Sequence, residues 1–155
     1  MGIEIERKFL IDSAIIETLN NGQSIQQGYV PTRQNTTVRI RIKGATAFLT
    51  LKGESLGASC SEFEYAIPVS DAKAMLGEFC TGTLVEKTRY EIVDGDHLWE
   101  VDVFSGHNEG LVVAEVELKH EGEHVNLPAW VREEVTGDPR YYNSNLLDYP
   151  YKEWD

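Results

Sequence analysis

Glu4-Ile5-Glu6-Arg7-Lys8, with Ile3 before it and Phe9-Leu10-Ile11 after it, is the stretch on which the reading of this chain turns. Its alternation of charged and apolar residues predicts a strand rather than a helix. Successive strand side chains point to opposite faces, so Glu4, Glu6 and Lys8 share one face while Ile3, Ile5 and Phe9 share the other. Two carboxylates about 7 Å apart with an amine one step beyond make an unusual row for an opening strand.

Seven later segments answer this row. Strands are expected over residues 24–30, 38–43, 47–52, 62–69, 84–93, 97–104 and 112–119, mostly joined as hairpins, with turn signals at Gly44 and Asp94-Gly95. One face of these strands carries Arg39 and Arg41, Lys52, Glu62 and Glu64, Lys87 and Arg89, Glu100 and Asp102, then Glu115 and Glu117. The opposite face is apolar, as in Val38-x-Ile40-x-Ile42, Leu49-x-Leu51 and Trp99-x-Val101-x-Val103. Helical patterning is sparse. A short helix is expected after Asp12 or Ser13 through Leu19, and a second, capped by Ser70, over 71–80 with Ala72, Met75, Leu76 and Phe79 as its stripe. Pro128 and Gly137 bracket a third through Val135, and the tail from Asp138 is expected to add a helical turn or two. The Gly- and Ser-rich stretch 53–61 reads as a mobile loop.

The totals bound the answer. With 155 residues, 41% apolar and 26% charged, the chain reads as one globular domain spanning 1–155. No apolar run approaches the ~20 residues of a membrane span and no signal-peptide core follows Met1, which points to the cytoplasm. Cys60 and Cys80 lack metal-ligand spacing and read as reduced structural thiols. A net charge of −12 argues against nucleic acid and anionic membranes as partners. An anionic ligand would need the few bases gathered in one place, or a bridging metal ion.

Two arrangements fit the alternation. In one, a half-buried antiparallel sheet turns its charged face to water. In the other, the sheet closes into an eight-stranded barrel with the charged face inward, which leaves room for one small ligand. Composition favours the second, because the charged rows are nearly pure Glu, Asp, Arg and Lys. Like-sign pairs such as Arg39/Arg41 and Glu115/Glu117 also repel unless counter-ions or a ligand lie between them. A lumen of mixed sign must be wet, cross-paired or filled by an ionic ligand. Arg and Lys rows suit phosphate oxygens, and carboxylate pairs suit a hard cation such as Mg²⁺ or Mn²⁺, so a metal-complexed polyphosphate fits both. The apolar outer face would then lie beneath the helices.

The order of the motifs resembles the CYTH domain, or triphosphate tunnel metalloenzyme, superfamily. Glu4-x-Glu6-x-Lys8 is followed by Gln27-Gly28-Tyr29, Val38-Arg39-Ile40-Arg41, Leu51-Lys52, Glu62-Phe63-Glu64, Lys87-Thr88-Arg89, Trp99-Glu100-Val101-Asp102, Ala114-Glu115-Val116-Glu117 and Arg140-Tyr141-Tyr142-Asn143-Ser144. The resemblance implies a mainly β, closed eight-stranded antiparallel tunnel that acts on a small-molecule triphosphate with a divalent metal. It assigns Lys8, Arg39, Arg41, Lys52, Lys87 and Arg89 to phosphate, and Glu4, Glu6, Glu115 and Glu117 to the metal. Glu62 and Glu64 would hold a further metal or orient the attacking water, and Lys87 or Arg89 would stabilise the leaving group; Glu100 and Asp102 either join the acidic wall or brace a base.

Members that cyclise ATP carry a longer His-Phe-led opening, whereas the short acidic form here is more similar to bacterial inorganic triphosphatases. The competing expectations are an organic triphosphate enzyme, for thiamine or nucleoside triphosphate or for ATP cyclisation, and a non-catalytic polyphosphate-binding module. An organic substrate would call on Tyr29, Trp99, Tyr141 or Tyr142. The four histidines read as surface residues. Oligomeric state stays open, a homodimer being one option.

Overall fold

The computed structural model describes residues 3–33, 35–80, 84–147 and 149–154, so Met1-Gly2 of the opening and Gln34 of the loop after Pro31 lie outside it. Nine strands form the framework of the described chain: β1 (Ile3–Ile11), β2 (Gln23–Val30), β3 (Thr37–Lys43), β4 (Thr46–Lys52), β5 (Ser59–Ile67), β6 (Val85–Asp94), β7 (His97–Phe104), β8 (Val112–Glu117) and β9 (Val131–Glu134). All pairings are antiparallel, in the order β5-β4-β3-β2-β6-β7-β8-β1. A further pairing of β1 with β5, through Ile3–Ile5 and Ser59–Ser61, closes the eight strands into a barrel. Closure removes the exposed edges that an open sheet of this length would leave. Gly44 and Gly95 sit in the tight turns β3–β4 and β6–β7 with positive φ, a conformation that glycine adopts without steric cost.

The ninth strand replaces an expected helix. Between Pro128 and Gly137 the chain forms β9, paired with Phe9–Ile11 of β1. The reason is the length of β1: only its first residues reach β5, and the edge beyond them would otherwise hold unpaired backbone groups. Val135 N–H donating to Lys8 O (2.8 Å) and a two-pronged Arg7–Glu134 pair fasten β9 there. Two smaller corrections have equally local causes. The loop expected over 53–61 ends three residues early, because Ser59–Ser61 make the closing pairs. Helix α1 (Val69–Glu78) begins ahead of Ser70, since Ala72 N–H already bonds Pro68 O (3.0 Å) and Ser70 falls inside the first turn.

The apolar outer face is covered in two ways. Ala72 and Leu76 of α1 pack on Ile40 and Ala47, with Met75 beside them, whereas Phe79 ends the helix and is exposed. Across β1, β7 and β8, the side chains of Phe9, Trp99, Val101 and Val116 are buried by Leu118, Val125, Trp130 and Val131, which is loop and strand rather than the expected helix. Part of the β4–β5 outer face has no cover among the described residues, leaving Leu51, Phe63 and Tyr65 exposed. A 3-10 turn at Ser13–Thr18, capped by the Asp12 carboxylate, stands where the first short helix was expected. The tail forms three 3-10 turns, at Pro139–Tyr141, Asn145–Leu147 and Tyr151–Glu153.

Candidate active site in the barrel interior

The inward faces converge on one cavity of about 360 Å³. Among the residues expected to carry function, Glu4, Glu6 and Lys8 of β1, Arg39 and Arg41 of β3, and Lys52 of β4 line it. Glu62 and Glu64 of β5, Lys87 and Arg89 of β6, and Glu115 of β8 complete the wall. Glu100 of β7 joins them, but Glu117 does not: opposite Glu6 on β8, it is exposed and feels the charges of Glu4 and Glu100.

The bases are held by acceptors that leave donors to spare. Asp102, fully buried, accepts from Lys87 Nζ at 2.7 Å and from Arg89 Nε and Nη2 at 2.7 and 2.9 Å. Burial alone would raise its pKa, but Lys87 and Arg89 outweigh that and hold it at about 2. Asp102 is thus a brace, and Glu100 Oε2 lies 3.3 Å from Arg89 Nη1. Arg41 donates to Gln27 Oε1 (2.8 Å), and burial, with Arg39 and Arg89 close by, lowers its pKa to about 10. Arg39 reaches Thr50 and Glu64, while its buried Nε has no hydrogen-bond partner among the described residues. Lys52 lies 2.8 Å from Glu4 and 3.4 Å from Glu62; burial lowers its pKa, but Glu4 outweighs this and raises it. Desolvation pulls Lys87 down to about 7 against the attraction of Asp102.

The acidic wall is poised differently. Burial, then Glu115, pushes the Glu6 carboxyl well above its ordinary value, the two side chains lying within reach of each other. Burial also acts to raise Glu115, but Lys8, the Glu6 bond and Arg89 hold it well below. Two adjacent carboxyls of this kind are oxygen donors that would suit a hard divalent cation, whose charge would favour their ionised form. No group of three or more His, Cys, Asp or Glu gathers as a ready-made cage among the described residues. The donor set therefore fits a hard divalent cation that accepts one or two carboxylates and fills its other positions with water and phosphate oxygens.

Sequence reasoning missed several lining residues. Cys60, expected to be a structural thiol, faces Glu4 across 3.8 Å, because the closing pairs carry it into the wall. Tyr142, Asn143 and Ser144 enter the lining from the tail, and only their place in the motif order signalled them. Gln27 and Thr50 are buried behind the lining, where they hold Arg41 and Arg39; strand alternation placed them but they lacked charge. Of the four aromatics considered for an organic substrate, Tyr29 and Tyr142 line the cavity; Trp99 and Tyr141 are core.

Closed barrel and mixed-sign lumen agree with what comparison finds. The model of the CYTH domain matches residues 2–142. The chain belongs to the CYTH domain family. Two relatives are similar over nearly their whole length. The inorganic triphosphatase of Acetivibrio thermocellus is 45% identical over 152 residues, covering 98% of this chain and 97% of that protein. The inorganic triphosphatase of Nitrosomonas europaea is 40% identical, covering 92% and 95%. A crystal structure of an inorganic triphosphatase matches with a TM-score of 0.64 at 37% identity, over 95% of each chain. A conserved protein from Pyrococcus furiosus shares the fold at 19% identity, with a TM-score of 0.60 over 77% of this chain and 80% of that one.

Proposed function

We propose that this chain hydrolyses inorganic tripolyphosphate to pyrophosphate and phosphate with the help of a divalent cation. The observation that carries this reading is the gathering of seven bases and the adjacent Glu6 and Glu115 carboxyls around one cavity of about 360 Å³ in a chain of net charge −12. Fixed cations aimed at one enclosed volume concentrate field where an anion can sit. Arg39, Arg41 and Arg89 offer planar forks to phosphate oxygens, and Lys8, Lys52 and Lys87 act as point charges. Glu6 and Glu115, with Glu4 beside them, would hold Mg²⁺ or Mn²⁺, which supplies charge neutralisation on the phosphate oxygens.

Hydrolysis needs an oriented water and a stabilised leaving group. Glu62 suits the first of these roles, because burial, then Glu4, raises its pKa and so favours taking a proton from the attacking water. Glu64, bonded to Thr50 and Arg39, positions that side of the cavity. Lys87 hydrogen-bonds the departing pyrophosphate, and Arg89 reinforces it electrostatically.

Phosphate release measured with tripolyphosphate, ATP and thiamine triphosphate, each with Mg²⁺ and with Mn²⁺, tests the proposal. Tripolyphosphate is expected to turn over fastest. Equal or faster release from ATP or thiamine triphosphate would transfer the reading to an organic substrate, and tight binding without turnover under either metal would leave only a binding module.

A further inference from the structure

We propose that Asn143, carried on the C-terminal segment, is a positioning residue for Lys87, so that the tail completes the phosphate cradle of the barrel. The inference rests on the phosphate-binding reading above. The barrel supplies the bases, but the segment after β9 supplies acceptors for two of them. Asn143 Oδ1 accepts from Lys87 Nζ at 3.0 Å, and the main-chain oxygen of Tyr141 accepts from Lys8 Nζ at 3.0 Å. The segment stands on a firm base. Tyr141 and Leu146 are buried against Val85, Phe104 and Val113, and Asn145 ties back to Pro139 O at 2.8 Å.

A lysine ammonium has three hydrogens in rotatable tetrahedral array. Among the described residues, Asp102 (2.7 Å) and Asn143 (3.0 Å) take two of them, and Phe104 lies beside the ammonium with its ring centre 5.3 Å away. Lys87 nevertheless lines the cavity, so the third hydrogen remains for a phosphate oxygen. A second acceptor deepens the torsional well about the Cε–Nζ bond, so the direction of the third hydrogen is held more firmly.

The choice of an amide also follows from charge. Lys87 faces Asp102 from β7, Arg89 on its own strand, Arg41 from β3 and Glu115 from β8. Another carboxylate at position 143 would neutralise charge intended for the substrate, whereas an amide oxygen orients the ammonium and leaves that charge in place. The same oxygen accepts from Gln27 Nε2 (3.3 Å), and Gln27 Oε1 accepts from Arg41 Nε (2.8 Å), which ties two bases of different strands to one point on the tail. Because burial already pulls Lys87 down to about 7, its charge responds to any acceptor gained or lost near neutral pH.

Asn143→Ala and the isosteric Asn143→Asp test this with two readouts. Side-chain ¹⁵N NMR titration of Lys87 in the unliganded protein reports its pKa directly, and steady-state kinetics with tripolyphosphate and Mg²⁺ report function. Losing the acceptor should lower the Lys87 pKa and move the alkaline limb of the kcat/KM profile down. Gaining a carboxylate should move both up, each by about one pH unit. Around pH 7.5, kcat/KM of Asn143→Ala should fall about tenfold, the loss expected for one hydrogen bond to a charged group. Shifts that are absent, or of the same sign in both variants, overturn the proposal. So does collapse of the Asn143→Asp protein, which would mean that the residue holds the tail rather than the lysine. Wild-type protein that turns over no triphosphate would instead count against the function, since the NMR arm judges the Lys87–Asn143 contact alone.

Discussion

Asp102 and Arg39 illustrate how similar-looking residues separate once their neighbours are known. Both belong to charged rows on inward faces, yet Asp102 is saturated by Lys87 and Arg89 whereas Arg39 keeps a buried, unpartnered Nε among the described residues. A donor in that state is held ready for an acceptor that the protein does not supply. Arg39→Ala is therefore expected to weaken tripolyphosphate binding about 10- to 100-fold, since hydrogen bonds to charged groups contribute about 1.5–3 kcal/mol. The fold should survive and its melting temperature should hold or rise, because Arg39 is one of the charges that lowers the pKa of Arg41. Calorimetric titration and a thermal melt check this; unfolding with undiminished affinity would show that the arginine row is structural.

Single strands serve more than one neighbour. β1 gives its first residues to β5, its middle and later residues to β8 on one side, and its last to β9 on the other. Its inward Glu4, Glu6 and Lys8 are thus fixed from both edges, which suits side chains that must hold position against like charges. β2 shows how the outer layer sets limits. Gly28 faces α1, and a Cβ there would meet Cys80 Cβ and a Leu84 methyl at 2.9 Å and a Leu76 methyl at 3.0 Å. Gly28→Ala should destabilise the protein by about 1–3 kcal/mol through overpacking. Its kcat should be unchanged at temperatures where it is folded, because the residue points away from the cavity. Urea unfolding with an unchanged midpoint would contradict the tight seating of α1.

The molecule as a whole carries a charge of −12 yet turns seven bases toward one cavity, an arrangement that penalises the ligand-free protein. Tripolyphosphate should raise the melting temperature, with a stabilisation of about 2.7 kcal/mol at a hundredfold excess over Kd. No shift at saturation would be incompatible with a phosphate site in the lumen. Proton linkage provides a signed test. At pH 8 Lys87, at about 7, is mostly neutral; a bound polyanion raises its pKa, so metal-free binding should take up as much as one proton. The divalent cation acts in the opposite sense, since burial and Glu115 raise the Glu6 pKa and a ligated cation would lower it, releasing any proton bound there. Titration calorimetry in buffers of different ionisation enthalpy separates the two, and proton release on metal-free binding would contradict the state assigned to Lys87.

Much of this protein is local information. A period of two, with acids and bases on one face and Ile, Val and Leu on the other, determined the strands and which side chains would share a surface, from Glu4-x-Glu6-x-Lys8 to Glu115-x-Glu117. What periodicity could not determine is the side on which that surface lies, because a wet outer face and a wet lumen demand the same alternation. That was decided by a few pairs distant in sequence, Ile3–Ile5 with Ser59–Ser61, which close the sheet and carry Cys60 into its wall. The same dependence on remote partners made a strand of residues 131–134, where Pro128 and Gly137 suggested a helix: the free edge of β1 needed hydrogen bonds, and no local propensity records that need. Asn143 and Asp102 follow the same logic. Their residue types were visible from the start, but their roles depend on an ammonium that only the closed barrel brings within 3.0 Å of both.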